Sequence, residues 1–429
     1  MNKNPLEAIV VRQKQADPIG ICSVCSSNQF VIDAALLKAK ETGSYVLIEA
    51  TANQVNQMGG YTGMKPLDFR EWIYTRARKI GLQSHMILLG GDHLGPVAWK
   101  KRPSNEAMDL AEELVREFAS AGYVKLHIDT SMPLGDEKTV STEEIAERAI
   151  RLIKISEQVA TKRPVYVIGS EVPTPGGSGN EEDLTVTNPE DLTKMLNCFR
   201  RKFHEAGLED VWTRVIAVVV QPGVEFGNDN VHEYVPREAA RLTEEAKKLD
   251  GIVLEGHSTD YQREDSLRRM VEDGIAILKV GPALTFAARE GLYALAEIEA
   301  QDKRNTDSSD FVNVLDKAML QKPGNWEDHY TDIEPESGLL RRFSYSDRSR
   351  YYMNEEAVKN SINILMNNLR KNKPSLTLVS QYSPNQYKKI RDGILENDPE
   401  ILVIDKVKDV LDSYWKACYQ GELSEGNNG

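Results

Sequence analysis

Short apolar runs alternate with longer stretches whose apolar residues recur every three to four positions, and the alternation continues over the first three hundred residues. The runs Pro18–Val24, Tyr45–Thr51, His85–Leu89, Tyr123–Asp129, Val165–Ser170, Arg214–Gln221, Gly251–Leu254 and Ile275–Val280 read as buried strands. The stretches Asn28–Gly43, Pro66–Gly81, Ser104–Ala121, Ser141–Ala160, Asn188–Ala206, Pro236–Leu249, Gln262–Asp273 and Ala283–Glu299 read as amphipathic helices. Ser141-Thr142-Glu143-Glu144 has capping-box spacing, Pro189 follows Asn188 in a first turn, and Gly43, Gly81, Gly122 and Gly207 stand where helices should stop. Strands alternating with helices need a parallel sheet, and eight such units predict an α/β fold of the (β/α)8 TIM-barrel type. An open doubly wound sheet would need a glycine-rich first turn if it were of the dinucleotide type, and none is present.

The pattern changes near residue 303. Gln301 to Asp310 is a polar linker, and Phe311–Leu320, Glu355–Lys371, Pro384–Glu396 and Pro399–Gln420 follow as helix-like segments. The expected organisation is a barrel over 1–303, a helical extension over 304–420 and a frayed, disordered tail over 421–429.

Composition narrows the partners. The chain has 429 residues, 40% of them hydrophobic, enough for a large barrel with an appendage. Its net charge of -13 disfavours nucleic acid or an anionic membrane as the main partner. No apolar run reaches about twenty residues, and Met1-Asn2-Lys3-Asn4-Pro5 lacks a signal core, so a cytoplasmic location is expected. The four cysteines, Cys22, Cys25, Cys198 and Cys418, read as reduced thiols, because Cys22-x-x-Cys25 has no second pair to complete a zinc motif.

Chemistry gathers at the carboxyl ends of the strands, where a barrel of this kind holds its active site. Read in order, those ends give Cys22 and Cys25, Glu49 with Asn53, Asp92 and His93, Asp129, Glu171, Gln221, His257 and Gly281. So many polar groups at the tips of apolar strands are costly to bury unless they converge on an ion or a substrate. Leu88-Leu89-Gly90-Gly91-Asp92-His93-Leu94-Gly95-Pro96 is the centre of the pattern. On extended backbone its adjacent Asp92 and His93 point to different sides, so that one ligates metal while the other faces substrate.

Of the seven histidines, His93, His232 and His257 fall on the catalytic face; His85 starts a strand at the opposite face, and His127 lies within one. Three imidazoles around open positions suit zinc acting as a Lewis acid, with Mn2+ or Co2+ accommodated by the same donors. Between Gly169 and Asp183, Glu171 leads into a glycine-rich loop carrying Glu181 and Glu182, which could close over a substrate and deliver a base.

These motifs resemble the class II zinc-dependent ketose-bisphosphate aldolases, in which an Asp-His pair ends a strand, an Asp ends the next, a Gly-Gly-Glu-Glu-Asp loop follows and two later histidines complete a zinc site. Asp92-His93, Ile128-Asp129-Thr130-Ser131, Glu171 through Asp183, Gly227 to His232 and Glu255-Gly256-His257 fall in that order. Closer still, Glu49 to Gln57, Gly59 to Met64, Gly90 to Pro96, Glu255 to Gln262 and Ser344 to Tyr352 are similar to the tagatose-bisphosphate aldolase GatZ/KbaZ-like family.

The resemblance implies that His93, His232 and His257 hold zinc, with Asp129 and Glu171 orienting ligands or holding a second ion. It further implies that Asp92 handles the C4 hydroxyl proton of a ketose and that Glu182 or Glu181 exchanges the proton at C3. Glu49, Asn53, Gln221, Ser258, Asp260 and Gly281 are the expected substrate contacts. Two departures stand out. His257 is followed by Ser258-Thr259-Asp260 where the aldolases have a glycine-rich phosphate cradle, and Gly281-Pro282-Ala283-Leu284 replaces their Asn-x-Asp-Thr. Phosphate is therefore expected elsewhere, with Arg348 and Arg350 as candidates because guanidinium forks match phosphate oxygens.

Three functions compete. The first is a tagatose-1,6-bisphosphate aldolase subunit with a metal-dependent aldol site, oligomeric and working with a catalytic class II aldolase chain. The second is a self-sufficient metal-dependent C4 epimerase of tagatose, fructose or their 6-phosphates. The third is a non-catalytic subunit that stabilises a separate aldolase chain.

Overall fold

The computed structural model describes residues 4–170, 184–302, 304, 307–330 and 334–419. Ten strands are present among them: β1 Ile21–Cys25, β2 Val46–Thr51, β3 Ile87–Leu94, β4 Lys125–Ile128, β5 Val165–Ile168, β6 Val215–Val220, β7 Glu225–Phe226, β8 Val231–His232, β9 Val253–Gly256 and β10 Ile275–Val280. Eight of them close a parallel barrel in the order β1-β10-β9-β6-β5-β4-β3-β2, while β7 and β8 form an antiparallel hairpin in the connection after β6. The chain is thus a (β/α)8 TIM barrel, and each predicted strand run overlaps a barrel strand.

The strands read as continuous apolar runs because they are covered on both faces. Helices such as Ser104–Ser120 and Thr142–Val159 lay an apolar stripe (Ala111, Leu114, Val115, Phe118; Ala149, Leu152, Ile153) on the outside of the sheet. The sequence expectation missed the short helices Glu209–Trp212, Glu336–Phe343 and Leu376–Tyr382 and also Pro5–Lys14, which begins with a capping box between Asn4 and Glu7 and buries Leu6, Ile9 and Val10. Gln13 Nε2 donates to the carbonyls of Ile19 and Val271, and Asn4 Nδ2 to that of Val124, so this helix seals the amino-terminal end of the barrel. No helix among the described residues is long and apolar enough to cross a membrane.

Strand β3 differs from the expectation in a way that shapes the site. It does not end at Leu89; pairing with β2 continues to Thr51 opposite Asp92, and a register shift between Gly91 and Leu94 precedes the contact of Leu94 with Ile128 of β4. His93 lies inside that shift with φ of 47°. The alternation that would send Asp92 and His93 to opposite sides is broken there, and both side chains turn to one centre. Two glycines make room: a Cβ on Gly90 would stand 2.7 Å from Cγ of Glu49, and one on Gly95 would stand 1.7 Å from the Asp129 carbonyl oxygen.

Beyond the barrel the chain forms the helices Phe311–Gln321, Glu336–Phe343, Glu356–Lys371, Leu376–Tyr382, Pro384–Arg391 and Pro399–Ala417. The last packs between Gln29–Thr42, Glu264–Glu272 and Pro282–Gln301, which puts it in the barrel's own outer layer. Tyr414 donates its hydroxyl to the carbonyl of Thr259 at 2.6 Å, Trp415 donates to Ser44 at 3.1 Å, and the Cys418 carbonyl accepts from Gly20 N at 2.9 Å. The predicted tail over 421–429 lies outside the described residues.

Candidate metal centre

Strand β4 reads Lys-Leu-His-Ile, and its two polar residues, two positions apart, face the same way into the barrel. Lys125 is wholly buried, so its ammonium has to be paired, and it is: Nζ lies 2.6 Å from Glu49 Oε1 of β2 and 2.8 Å from Glu255 Oε2 of β9. These three groups floor the site.

Above them stand Asp92, His93, His127 and His257, each offering one donor atom within 4.8 Å of the others. Ring centroids are 4.8 Å apart for His93 and His127, 5.1 Å for His93 and His257, and 5.4 Å for His127 and His257. Each imidazole is held from behind by an acceptor. His93 Nδ1 lies 2.9 Å from Asp129 Oδ2, His127 Nε2 lies 2.8 Å from the Gly169 carbonyl, and His257 Nε2 lies 3.0 Å from Glu255 Oε1. Acceptors in those places draw the ring proton to Nδ1 of His93 and to Nε2 of His257, leaving the other nitrogen of each with its lone pair. His127 has an acceptor at each nitrogen, the Gly169 carbonyl at Nε2 and Asp92 Oδ1 2.9 Å from Nδ1, and would give Nδ1 to an ion in place of that second contact. A carboxylate or carbonyl behind each imidazole is the support that metal-ligating histidines require, so the donor set fits a divalent ion.

Charge supports the same fit. Lys125 and Lys279 face Glu49, Asp92, Asp129 and Glu255, a formal surplus of negative charge in a largely water-free space. Burial would raise the Asp92 carboxyl, but His93, Lys279 and His127 hold it well below the usual carboxylate range. Asp129 is likewise held low against its burial, by its hydrogen bond from His93. Burial and the charge of Lys279 lower His257, keeping it neutral as a ligand must be.

The residues expected at the site are placed as follows. Asp92, His93 and His257 are brought together. Asp129 stands behind His93 and also accepts from Ser131 Oγ at 2.7 Å and Ser170 Oγ at 3.2 Å, which makes it an orienting group. His232 is not brought to the centre: it sits exposed on the two-residue strand β8, where its pairing with Glu225 fixes it on the hairpin. His127 stands there instead. Glu49 lies in the floor of the barrel against Lys125 and not at a substrate-facing tip. Asn53 is exposed on the turn after β2. Gln221 shapes the turn after β6, its Oε1 accepting from Gly223 N and Val224 N. Ser258 donates to the buried Glu225 at 3.3 Å.

Asp260 faces Gly281: its Oδ1 accepts from Gly281 N at 3.0 Å and from Ala283 N at 2.7 Å, at the start of the helix Pro282–Gln301. Burial pushes this carboxyl up to about 6, against those amides. The protein's own carboxylate thus occupies the amide donors that would otherwise favour a bound anion there. Glu171, Glu181 and Glu182 lie outside the described residues.

Sequence reasoning passed over His127, Lys125, Glu255 and Lys279. The available signal was a charged or imidazole side chain inside an apolar run, namely His127 in Lys125–Ile128, Glu255 in Val253–Gly256 and Lys279 in Ile275–Val280. Such residues in strands buried on both faces can only point inward to partners.

Beside the centre lies a cavity of about 380 Å3, lined by Cys25, Ser26, Ser27, Asn28, Tyr61 and Arg350 among others. Cys25 is shared, its Sγ 4.0 Å from Asp92 Oδ2. Among the described residues the charged members of the wall are Arg350 and Lys359, both cationic, with no carboxylate. Arg350 is anchored over the Tyr351 ring at 4.4 Å, with Nη2 2.9 Å from the Tyr351 hydroxyl. Arg348 donates instead to the Asn325 carbonyl at 3.1 Å and is not part of this wall.

With this geometry in place, comparison with known proteins gives a consistent result. The family model described as D-tagatose-1,6-bisphosphate aldolase subunit GatZ/KbaZ-like matches residues 6–419. The D-tagatose-1,6-bisphosphate aldolase subunits GatZ of Escherichia coli O9:H4 (strain HS) and of Escherichia coli K12 are each 43% identical over 419 residues, covering 96% of this chain and all of theirs. A solved structure from Sinorhizobium meliloti 1021, described as a probable tagatose 6 phosphate kinase, is 42% identical with a TM-score of 0.87, over 93% of this chain and all of that one.

Proposed function

The chain belongs to the D-tagatose-1,6-bisphosphate aldolase subunit GatZ/KbaZ-like family, and from that premise we propose that it carries a metal-dependent aldol/retro-aldol site for a phosphorylated ketose, with tagatose 1,6-bisphosphate as the substrate to test first. The observation that carries this reading is the convergence of Asp92, His93, His127 and His257, with each imidazole fixed from behind. A divalent ion held there, zinc or else Mn2+ or Co2+, would supply Lewis acidity to the ketose carbonyl.

The protein's own groups do the rest. His93, His127 and His257 would hold the ion, and Asp129, Glu255 and the Gly169 carbonyl keep their rings in register. Asp92, kept ionised by its neighbours, accepts the C4 hydroxyl proton as the C3–C4 bond breaks and returns it on re-addition. Glu182 or Glu181 exchanges the proton at C3, and Glu171 is the further carboxylate that the resemblance assigns to the ion. Glu181, Glu182 and Glu171 rest on the resemblance alone.

The cationic cavity beside Cys25 takes the substrate's phosphate, with Arg350 as its main donor and Lys359 at its edge. Arg350→Met is expected to raise KM for a phosphorylated ketose by about 10- to 100-fold, the worth of a charged hydrogen bond, while leaving a non-phosphorylated ketose unaffected. Steady-state kinetics on the two sugars checks this; equal losses on both would remove Arg350 from phosphate binding.

A second reading, C4 epimerisation of a ketose monophosphate, is favoured by Asp260. Its carboxylate fills the helix start after β10, so that the cationic cavity beside Cys25 offers a place for a single phosphate. The experiment incubates the purified chain with zinc and tagatose 1,6-bisphosphate, tagatose 6-phosphate or fructose 6-phosphate, beside His93→Ala. Triose released from the bisphosphate and lost in the variant supports the aldolase reading; C4 epimer without free triose supports the second. No product until a class II aldolase chain is added would leave the accessory-subunit reading. Phosphoryl transfer from ATP is disfavoured, since the sequence has no Gly-x-x-x-x-Gly-Lys-Ser/Thr loop.

A further inference from the structure

Lys279 is a charged residue in the otherwise apolar strand β10, Ile-Ala-Ile-Leu-Lys-Val, and its side chain is 8% exposed. Its ammonium forms an ion pair with Asp92 Oδ2, while Asp92 Oδ1 lies 2.9 Å from His127 Nδ1. Each oxygen of Asp92 thus faces one of these nitrogens, and an ion taken by His127 Nδ1 would release Oδ1 for substrate. Yet Asp92 stands within donor range of all three imidazoles, and as an anion it would be drawn to any dication placed among them. Lys279 is the charge positioned to oppose that capture. Its backbone is fixed as well, its carbonyl accepting from Thr259 Oγ1 at 2.6 Å in the segment just after His257.

We propose that Lys279 is a positioning residue that keeps Asp92 out of the metal's ligand shell, so that three imidazoles hold the ion and Asp92 stays available for proton transfer. This rests on the metal-dependent reading above. Without the ammonium, Asp92 joins the ligands: the ion is bound more tightly and the chemistry loses its base. Tighter metal together with slower turnover is a signature that general damage to the site does not produce, because damage weakens both.

The test measures zinc affinity of the full chain by competition with a chromophoric chelator, alongside turnover and the visible spectrum of the Co2+-loaded protein. Lys279→Met is expected to bind zinc about 10-fold tighter or more, to lose about 10- to 100-fold in turnover, and to show an altered cobalt spectrum, effects of the size that groups adjoining metal ligands exert. Lys279→Arg, which keeps the charge, should stay near the parent affinity. Adding Asp92→Asn to Lys279→Met should abolish the gain. If Lys279→Met fails to fold, Lys279→Gln reads the same quantity with a polar chain in place. Unchanged or weaker zinc binding in a folded neutral variant overturns the inference while leaving the metal centre intact. A parent protein that takes up no zinc or cobalt overturns the metal-dependent reading itself, and this inference with it.

Discussion

His127→Ala is expected to reduce bound zinc from one ion per chain to near zero and to lower turnover by more than about a hundredfold, since even groups one step removed from a metal are worth 10- to 100-fold. His232→Ala is expected to leave the zinc stoichiometry unchanged. The two variants separate two ligand sets. The set implied by resemblance is His93, His232 and His257; the set gathered by the barrel is His93, His127 and His257. His127 is wholly buried, and its Nε2 is committed to the Gly169 carbonyl, so the ring cannot turn away from the centre. His232 lies exposed on the β7–β8 hairpin, with its carbonyl taken by Gln262 Nε2 at 2.8 Å. Metal analysis of the purified variants decides. Zinc retained in His127→Ala and lost in His232→Ala would mean that the hairpin folds inward when the ion binds and that the geometric set is wrong.

The barrel was legible in the sequence because its signal is repeated. Each apolar run is bounded by turn residues and separated by an amphipathic stretch, and an error at one strand end leaves the count intact. The strand boundaries were less so. Asp92 and His93 read as lying past a strand that ends at Leu89, because Gly90-Gly91 looks like a strand terminator, whereas Gly90, Gly91 and Asp92 continue the pairing with β2 and Gly90 admits the Glu49 side chain. His93 and His257 could be seen as candidates from their position at strand ends. His127 could not, because an imidazole two residues inside a strand looks like a core residue until its neighbours across the barrel are known. Its partners, Asp92 and the Gly169 carbonyl, are 35 and 42 residues away in sequence. The same holds for Lys125, whose two carboxylates come from opposite ends of the barrel's chain order. Asp260 shows the reverse case: it was expected to contact substrate, and its carboxylate is instead spent on two backbone amides of the protein itself.

Lys125→Met is expected to destabilise the fold by about 3–5 kcal/mol, the usual cost of removing one partner from a buried ion pair. The methionine fills nearly the same volume, so the loss is electrostatic: Glu49 and Glu255 stay buried without their cation. The two carboxylates respond differently. Burial already raises Glu49 despite Lys125, so it neutralises readily by taking up a proton. Glu255 is held low against burial by Lys125 first and then by its hydrogen bond from His257, and the second of these remains when Lys125 is removed. Adding Glu49→Gln to Lys125→Met should therefore recover part of the stability, whereas adding Glu255→Gln should cost zinc affinity as well, because it weakens the acceptor that orients His257. Urea unfolding of the metal-free proteins measures the first effect, with Lys194→Ala as a comparison. Lys194 and Asp191 form an exposed pair at 3.0 Å whose loss should cost less than about 1 kcal/mol. An unfolding midpoint in Lys125→Met equal to that of Lys194→Ala would show that water or a rearranged side chain compensates the floor of the barrel, and the two-tier account of the site, with a paired floor supporting the imidazoles above, would fail with it.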